Sequence, residues 1–371
     1  MAARNAYDLA VVGAGICGLA HAYGAARIGK KVVVIDRDAQ ANGASIRNFG
    51  FVTVTGQQRG EGWRRAMRSR DIWAEVAPLA GIDVIHRGLV VAARRPQARA
   101  ILEAFMATEM AEGCALLEPA EARARFPALK PVAAALHSPH EVRVESRTAI
   151  PKLATWLSEA HGVTFMRGTA VRTVEPPAVE TSAGRVSAEA VVVCPGDDFV
   201  SLYGERLAAK TLTRCKLHMM RLAPIGAPIE TAVMSDLGLV RYLGYAELPE
   251  AAALRAVLEA EQADHLANGV HLIVVRSADG SLVVGDSHHY GATPDPFAPE
   301  AVDELILDEF RTVIDGEAQV LERWTGTYAS APDRLALIDR PSDAVRLVLI
   351  TSGTGASTSF AIAEEVIADL F

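Results

Sequence analysis

The chain has 371 residues, of which 50% are hydrophobic and 22% are charged, so it is long enough for two average domains and has a globular composition. Its formal net charge of −8 disfavours a general nucleic-acid binder but leaves room for a local basic pocket around a small anion. Its four cysteines form no CxxC pair and no zinc-ligand spacing, which predicts no metal site and fits a reducing, cytoplasmic setting.

The first predicted elements form a strand–turn–helix–strand unit. The run from Leu9 to Ala26 is 18 residues without a formal charge, close to the length of a membrane span. It contains four glycines and lacks the flanks of a signal peptide, so a strand, a turn and a helix explain it better and no membrane segment is predicted. The strand at 31–36 completes a βαβ unit, which is typical of a Rossmann-like dinucleotide-binding domain.

The turn of this unit reads Gly13-Ala-Gly15-Ile-Cys-Gly18. Its glycines permit a sharp turn, a close approach of the backbone to a pyrophosphate, and tight packing of helix on strand. The helix start offers free N–H groups and a positive dipole end to the phosphates. Asp36 ends the second strand, where it can accept a hydrogen bond from a ribose hydroxyl. The spacing therefore predicts a dinucleotide site.

Further along, helices are predicted at 68–81, 98–113 and 147–162. The chain ends with a strand, the turn "TSGTGAST" at 351–358 and a helix. Together with the small-residue turn "GASIRNFG" at 43–50, this last turn favours FAD over NAD, because an extended flavin nucleotide needs backbone donors at both ends. A nicotinamide dehydrogenase stays open as an alternative.

At these motifs the sequence resembles a known family. "VVGAGICGLA", "VIDR", "GAS", "VVVCPG" and "SGTG" are similar to motifs of the glycine oxidase, sarcosine oxidase and D-amino-acid oxidase family of FAD enzymes. "GASIRNFGFV", "RCKLHMMR", "GDSHHYG" and "RWTGTYASAP" resemble a subgroup proposed to act in bacterial phosphonate catabolism. The resemblance covers nearly the whole chain.

The resemblance implies an α/β (α+β overall) fold with two discontinuous domains. Residues 1–85, 142–214 and 318–371 would form a Rossmann-like FAD-binding domain. Residues 86–141 and 215–317 would form a substrate-binding domain built on an antiparallel sheet.

The resemblance also implies which residues contact a non-covalently bound FAD. Carried over by position, they are Gly13, Ala14, Gly15, Ile16, Gly18, Asp36, Arg37, Ala44, Ser45, Asn48, Val171, Gly196, Gly353, Thr354 and Gly355. Ser45 would face the diphosphate, Gly353 the flavin ring, and Asn48 the reactive face of the flavin. Neither turn beside the flavin offers a His or Cys for covalent attachment.

The sequence departs from the family where a substrate carboxylate is usually held. No arginine occurs from Trp324 to Ser330 or from Ala356 to Thr358. Arginine normally grips such a carboxylate with two hydrogen bonds, so an ordinary α-amino acid is placed in doubt. Other basic residues could hold an anion instead, namely Arg47, Lys216, His218, Arg221, Arg241, Arg276, His288 and His289.

From this set and its neighbours we predict the residues that act on the substrate. The expected catalytic residues are Asn48, Lys216, His288 and Tyr328, and the expected substrate contacts are Arg47, Arg241, Tyr242, His288 and Trp324. His288 and His289 are adjacent, so in an extended chain they point to opposite faces and do not easily share a metal ion. We favour His288 as the one that faces the pocket.

The resulting hypothesis is oxidation of the C–N bond of a small aminophosphonate, such as 2-aminoethylphosphonate or a hydroxylated or N-alkylated relative. A hydride would pass to the flavin and the imine would hydrolyse. The electron acceptor would be dioxygen or an electron-transfer partner. The alternatives are an oxidase of a conventional primary or secondary amino acid, of the glycine, sarcosine or D-amino-acid type, and a flavoprotein that only binds or senses a ligand.

Overall fold

The computed structural model describes residues 6–371 as two sheets with surrounding helices. The strands are β1 (Ala6–Val12), β2 (Val32–Ile35), β3 (Phe51–Val52), β4 (Val84–Ala93), β5 (Ala115–Leu117), β6 (Ala134–Val144), β7 (Thr164–Met166), β8 (Val171–Glu175), β9 (Ala178–Thr181), β10 (Gly184–Val193), β11 (Thr213–Leu222), β12 (Ala232–Ser235), β13 (Ile273–Arg276), β14 (Leu282–Gly285), β15 (His289–Gly291), β16 (Val320–Ser330), β17 (Ala336–Ser342) and β18 (Val345–Ile350). The helices are α1 (Ile16–Ala26), α2 (Glu61–Leu79), α3 (Pro96–Met106), α4 (Pro119–Arg125), α5 (Ser146–His161), α6 (Gly204–Ala208), α7 (Leu243–Ala246), α8 (Ala251–Glu261), α9 (Ala263–Ala267), α10 (Glu300–Val313) and α11 (Gly355–Leu370).

The first sheet is the Rossmann-like sheet that the βαβ unit predicts. Its strand order is β17-β18-β10-β1-β2-β7, and the five strands from β18 to β7 run parallel. All four residues of β2 are buried, because apolar side chains pack on both faces of a parallel sheet. Helix α1 packs against α5 and α11 on one of these faces. The carboxyl ends of β1, β10 and β18 therefore reach one edge together, where a ligand of such a sheet binds.

The second sheet is mainly antiparallel, as predicted. Its strand order is β15-β11-β14-β13-β12-β4-β6-β3, with β16 added beside β11 and β5 beside β6. Only β4 and β12 pair in parallel within it. Its apolar side chains form a separate core with α3, α8 and α10. The two sheets thus have their own interiors.

Two strands from the predicted FAD-binding segments pair within the second sheet. Strand β16 lies in the predicted FAD-binding segment 318–371, yet it pairs with β11 of the second sheet over nearly its whole length. The short strand β3, within the predicted segment 1–85, also pairs in the second sheet, with β6. We propose that the last crossover to the first sheet falls after Ser330, where the chain leaves β16.

The helix boundaries differ from the predicted ones at two places. Helix α2 begins at Glu61, a turn or more before the predicted start at 68. The prediction missed this first part because Gly62 is a weak helix former, although an acidic residue such as Glu61 is favourable in a first turn. Helix α3 ends at Met106 and a short 3-10 turn at Glu109–Ala111 follows, where one helix to 113 was predicted. No helix within residues 6–371 is both long and apolar enough to cross a membrane.

Candidate active site

A cavity of about 810 Å³ lies between the two sheets. One end is formed by the turns after β1 and β2 and by the segment around Val171. The other end is formed by β16 and by the loops that carry Arg241 and His288. The start of α11 lines the space between them. The cavity is therefore bounded by elements of both sheets.

The glycine-rich turn at the first end is packed too tightly to accept side chains. A Cβ added to Gly13, where φ is +101°, would lie 2.4 Å from the carbonyl oxygen of Cys194. A Cβ added to Gly18 would lie 1.9 Å from the carbonyl oxygen of Gly13. Both neighbours are backbone atoms, which cannot rotate away. The glycines hence let α1 begin directly against the ends of β1 and β10.

Two polar side chains order this turn from outside it. One carboxylate oxygen of Asp36 accepts a hydrogen bond from the Ala14 amide at 2.6 Å, and the other accepts one from the Asp38 amide at 2.8 Å. The Ser45 hydroxyl accepts a hydrogen bond from the Ile16 amide at 2.9 Å. Each carboxylate oxygen keeps a second lone pair, so Asp36 can still bind a ribose hydroxyl.

Two helix N-termini meet at the centre of the cavity. Helix α1 begins at Ile16 and α11 at Gly355, and a Cβ on Gly355 would lie 3.4 Å from Cγ2 of Ile16. Just before α11, Gly353 has a φ of +72°, and a Cβ there would lie 3.1 Å from Cζ of Tyr328. Free N–H groups and two helix dipoles therefore point into one space, which suits an anionic nucleotide.

The cavity wall contains every residue predicted to contact the cofactor. These are the fifteen positions carried over from the family motifs, from Gly13 and Asp36 at one end to Gly353, Thr354 and Gly355 at the other. The glycine-rich turn, the Asp36 carboxylate and the paired helix N-termini fit an extended FAD. The individual contacts with FAD stay predictions.

The other end of the cavity is built around Arg241. Its guanidinium donates a hydrogen bond to the Tyr290 hydroxyl at 3.0 Å, and Tyr242 and Tyr328 stand beside it in the cavity wall. Burial raises the pKa of Tyr242 and Tyr328 well above the ordinary value, so both phenols are neutral hydrogen-bond donors at neutral pH. This end combines one fixed positive charge with several hydroxyl groups.

Beside Arg241 lies a buried cluster of His271, Asp286 and His288, residues that are 3%, 5% and 7% exposed. Nδ1 of His271 is 3.3 Å from Oδ1 of Asp286, and Nε2 of His288 is 3.7 Å from Oδ2. The pKa of both histidines is well below the ordinary value, mainly because they are buried and secondly because Arg241 is positively charged. Burial raises the pKa of Asp286 to about 7, although Arg241 opposes this.

Sequence reasoning missed His271, Asp286 and Tyr290. One side-chain nitrogen or oxygen atom from each of His271, Asp286 and His288 lies within 4.8 Å of the other two. The spacing of these residues along the sequence indicated no such cluster. His271 comes from the segment before β13 and is joined to Asp286 by two backbone hydrogen bonds, 3.0 and 3.2 Å long. The one local signal was Asp286 itself, a charged residue directly after the apolar run of β14.

The structure separates the two adjacent histidines as the alternation predicts. His288 lines the cavity and donates a hydrogen bond from Nδ1 to the carbonyl oxygen of Gly269, 2.9 Å away. His289 does not line it, and its Nε2 lies 3.1 Å from Oδ1 of Asn268. Asn48, Arg47, Arg241, Tyr242 and Tyr328 also line the cavity.

Lys216 and Trp324 were predicted at the site but lie outside the cavity wall. Leu217 on β11 faces the cavity, so the alternation of the strand turns Lys216 to the opposite face. There its ammonium donates hydrogen bonds to the carbonyl oxygens of Asp295 and Phe297, at 2.8 and 2.7 Å. The Trp324 indole donates to the carbonyl oxygen of Arg47 at 3.1 Å, so it braces the turn that bears Arg47.

Most of the other basic candidates also have structural partners outside the cavity. Nδ1 of His218 is 2.8 Å from Asp303, Arg221 pairs with Glu322 at 3.2 Å, and Arg276 donates to the carbonyl oxygen of Ile229. Of the predicted anion-binding residues, the cavity retains Arg47, Arg241 and His288.

Comparison with known proteins identifies the family. Residues 8–370 match the family of FAD dependent oxidoreductases called DAO, and the chain belongs to that family. It is therefore an FAD-dependent oxidoreductase, which decides the nicotinamide alternative in favour of FAD.

Several solved structures share the fold. Glycine oxidase from Bacillus cereus is 18% identical, with 98% of this chain and 96% of that chain covered and a TM-score of 0.79. L-α-glycerophosphate oxidase from Mycoplasma pneumoniae, solved with FAD bound, is 15% identical over 99% and 95% of the two chains, with a TM-score of 0.76. Iminodiacetate oxidase from Chelativorans sp. BNC1 is 18% identical over 98% and 94%, with a TM-score of 0.72. No curated protein matches the sequence.

The position of Lys216 gives a first testable expectation. Replacing it in Lys216→Met should leave turnover within about twofold while destabilising the 292–299 loop, because two charge-assisted hydrogen bonds worth about 1.5–3 kcal/mol each are lost. Limited proteolysis of that loop and steady-state kinetics measure the two effects. A large loss of turnover without faster cleavage would restore Lys216 as a catalytic residue.

Proposed function

We propose that this protein oxidises the C–N bond of a small aminophosphonate, with Arg241 anchoring the phosphonate. The observation that carries the proposal is the electrostatic state of Arg241. Within residues 6–371 no carboxylate lies within 4.0 Å of its guanidinium, although it lines the cavity. A partly buried arginine that makes no direct ion pair can bind an anionic ligand through its free N–H groups.

The other arginines of the cavity support this interpretation. Arg37 and Arg334 are paired with Asp198 and Asp333, at 2.7 and 2.5 Å. Arg47 donates only to the side-chain oxygen of Asn42, at 3.1 Å. Within the described part of the chain, the two cavity arginines without an ion pair are thus Arg47 and Arg241, and both were predicted to contact the substrate.

Three features favour a phosphonate over a carboxylate. The family that the sequence resembles usually carries an arginine for the substrate carboxylate at two positions, and this chain has no arginine at either. The arginine that could hold the anion here is Arg241, which comes from another loop, after Val240. A phosphonate offers three acceptor oxygens, which suit one arginine with the hydroxyl groups of Tyr242, Tyr290 and Tyr328 around it. The fold is also that of an L-α-glycerophosphate oxidase, a protein named for a substrate with a similar tetrahedral anion.

The residues of this chain then have defined tasks. When bound, FAD supplies the hydride acceptor. Arg241 and the tyrosines hold the anion, and this fixes the amine-bearing carbon near Tyr328 and Gly353, where the flavin ring is expected. Asn48 orders the turn beside them, since its amide donates to the carbonyl oxygen of Ala44 and accepts from the Gly50 amide. The electron acceptor is proposed as dioxygen or a protein partner.

A matched substrate panel tests the proposal. Purified enzyme should turn over 2-aminoethylphosphonate, or its hydroxylated or N-alkylated relatives, at least tenfold more efficiently than β-alanine, which replaces the phosphonate by a carboxylate. Glycine, sarcosine and D-alanine complete the panel. Oxygen consumption and reduction of an artificial dye, measured in parallel, identify the acceptor. Turnover of glycine or sarcosine with no response to any aminophosphonate would overturn the proposal.

The second candidate is oxidation of a conventional primary or secondary amino acid. The observation in its favour is the shared fold with glycine oxidase and iminodiacetate oxidase, whose names give amino acids as substrates. Arg241 could hold a carboxylate with two hydrogen bonds as well. Turnover of the carboxylates in the panel (β-alanine, glycine, sarcosine and D-alanine), compared with turnover of the aminophosphonates, decides between the two substrate classes. A protein that only senses a ligand would show no flavin reduction with any member.

The two neighbouring histidines give a matched pair of variants. His288→Gln should raise KM for the substrate roughly tenfold, since a lost hydrogen bond to a charged group costs about 1.5–3 kcal/mol. His289→Gln should change KM by less than about twofold, because His289 lies outside the cavity wall. Steady-state kinetics with both variants checks this. Equal effects at the two positions would remove His288 from the substrate site.

A further inference from the structure

We propose that Asp286 accepts the proton of the substrate ammonium, so that the neutral amine forms inside the cavity before its C–H bond is oxidised. The inference rests on the proposed amine substrate and assigns a catalytic residue to that site. The proton moves from the ammonium nitrogen to a carboxylate oxygen of Asp286 and leaves a neutral amine and a neutral carboxylic acid. No electron moves in this step.

The position of Asp286 suits this task. The residue is 5% exposed and lines the cavity beside Arg241. Within residues 6–371 its Oδ1 accepts no hydrogen bond, because the 3.3 Å contact with Nδ1 of His271 lacks hydrogen-bond geometry. A buried acceptor without a donor costs free energy, which a bound ammonium group would relieve. Arg241 on one side and Asp286 on the other thereby match the two charged ends of an aminophosphonate.

The neighbouring histidines are poorer proton acceptors. The pKa of His271 and of His288 is well below the ordinary value, because burial and the nearby Arg241 disfavour the charged imidazolium. Burial instead raises the pKa of Asp286 to about 7, in the range that suits a general base at neutral pH. The usual order of basicity between carboxylate and imidazole is hence inverted here.

The charged and titratable groups that face Asp286 come from four segments. They are Arg241 and Tyr242 from the loop after Val240, His271 from the segment before β13, His288 from its own segment, and Cys215 from β11. The pKa of Tyr242 and of Cys215 is raised by burial, so among residues 6–371 Arg241 is the one charged neighbour of Asp286 at neutral pH. Asp286 is therefore the group whose ionisation changes near pH 7.

The pH dependence of kcat/KM tests the assignment in the FAD-loaded enzyme. The wild-type value for 2-aminoethylphosphonate should rise tenfold per pH unit below about 7, as Asp286 ionises, and then level off. Asp286→Asn should remove this plateau, because only the free amine can then react, and its activity should approach the wild-type value at high pH. Asp286→Glu should restore a plateau in part. A loss of activity in Asp286→Asn that is the same at every pH would overturn the assignment.

A binding measurement on the wild-type protein provides an independent readout. We use 2-amino-2-methylpropylphosphonate, which has no hydrogen on the amine-bearing carbon and so cannot be oxidised, and ethylphosphonate as the control without an amine. Calorimetry at pH 6 in two buffers of different ionisation heat should show about one more proton released with the amine, displaced from Asp286. Equal proton release with both ligands would overturn the assignment.

Two further outcomes are distinguishable. If neither phosphonate binds and no aminophosphonate is oxidised, the proposed function fails together with this inference. If aminophosphonates are oxidised and only the pH and proton readouts fail, the inference alone is wrong. A stoichiometric metal ion in the purified protein would also overturn it, since the three side chains of the cluster would then be ligands and Asp286 could not accept a proton.

Discussion

Arg241→Ala should reduce kcat/KM for the aminophosphonate by roughly 100-fold or more. Truncating one partner of a buried, hydrogen-bonded charge pair costs about 2–5 kcal/mol, and each ~1.4 kcal/mol is a factor of ten. Most of the loss should appear in KM, because Arg241 binds the anion in the ground state and in the transition state alike. Arg241→Lys should recover part of the loss, since lysine keeps the positive charge but lacks the planar guanidinium that can make two hydrogen bonds to the anion.

Two comparisons make this expectation specific. Arg311 lies on the outer face of α10, paired with Glu304 at 3.5 Å, so Arg311→Ala should leave kcat/KM unchanged. A simple alkylamine without an anionic group should be oxidised poorly by the wild type and no worse by Arg241→Ala. If Arg241→Ala and Arg311→Ala behave alike toward the aminophosphonate, Arg241 does not hold the anion.

Gly18→Ala should yield a protein that purifies without flavin. The new Cβ would lie 1.9 Å from the carbonyl oxygen of Gly13, so α1 must move away from β1 and carry the N–H groups at its start away from the position proposed for the diphosphate. Overpacking of this kind costs about 1–3 kcal/mol in stability, in addition to the lost FAD contacts. The visible absorption spectrum of the purified protein and a titration with FAD measure the effect.

Gly204→Ala is the matched control for this variant. Gly204 begins α6 outside the cavity wall, and an added Cβ would make only an ordinary contact, 3.5 Å from the carbonyl oxygen of Phe199. This protein should bind FAD as the wild type does. Flavin content equal to wild type in Gly18→Ala would show that the turn does not hold the diphosphate.

The cofactor end was predictable because its signals are local. The glycines at 13, 15 and 18 and the acid at 36 lie within one βαβ unit, so their spacing alone fixes how turn, helix and second strand meet. The last turn, with Gly353 and Gly355, was assigned to the same site from the length of an extended flavin nucleotide and from family resemblance, not from local spacing. Its approach to Ile16 depends on the order of β1, β10 and β18, which no local pattern encodes.

The substrate end was predicted in part, because its residues meet through long-range strand pairing. Alternation predicted that only one of His288 and His289 faces the cavity, and His288 is the one that lines it. Alternation could not tell which face of β11 lies toward the cavity, so Lys216 was predicted at the site although it lies outside the cavity wall. His271 and Asp286 are brought together by pairing beside β13 and β14. A spacing rule that scans along the chain misses such a cluster, since His271 precedes β13 while Asp286 and His288 follow β14.

Anaerobic reduction of the bound flavin tests the central claim most directly, because it follows the first half of the reaction without depending on the electron acceptor. Mixed with wild-type enzyme in the absence of oxygen, 2-aminoethylphosphonate or its hydroxylated or N-alkylated relative should bleach the flavin at least tenfold faster than β-alanine at equal concentration. The same experiment with Arg241→Ala should abolish the difference. Rapid bleaching by glycine, sarcosine or β-alanine, with no bleaching by any aminophosphonate, would contradict the proposed function.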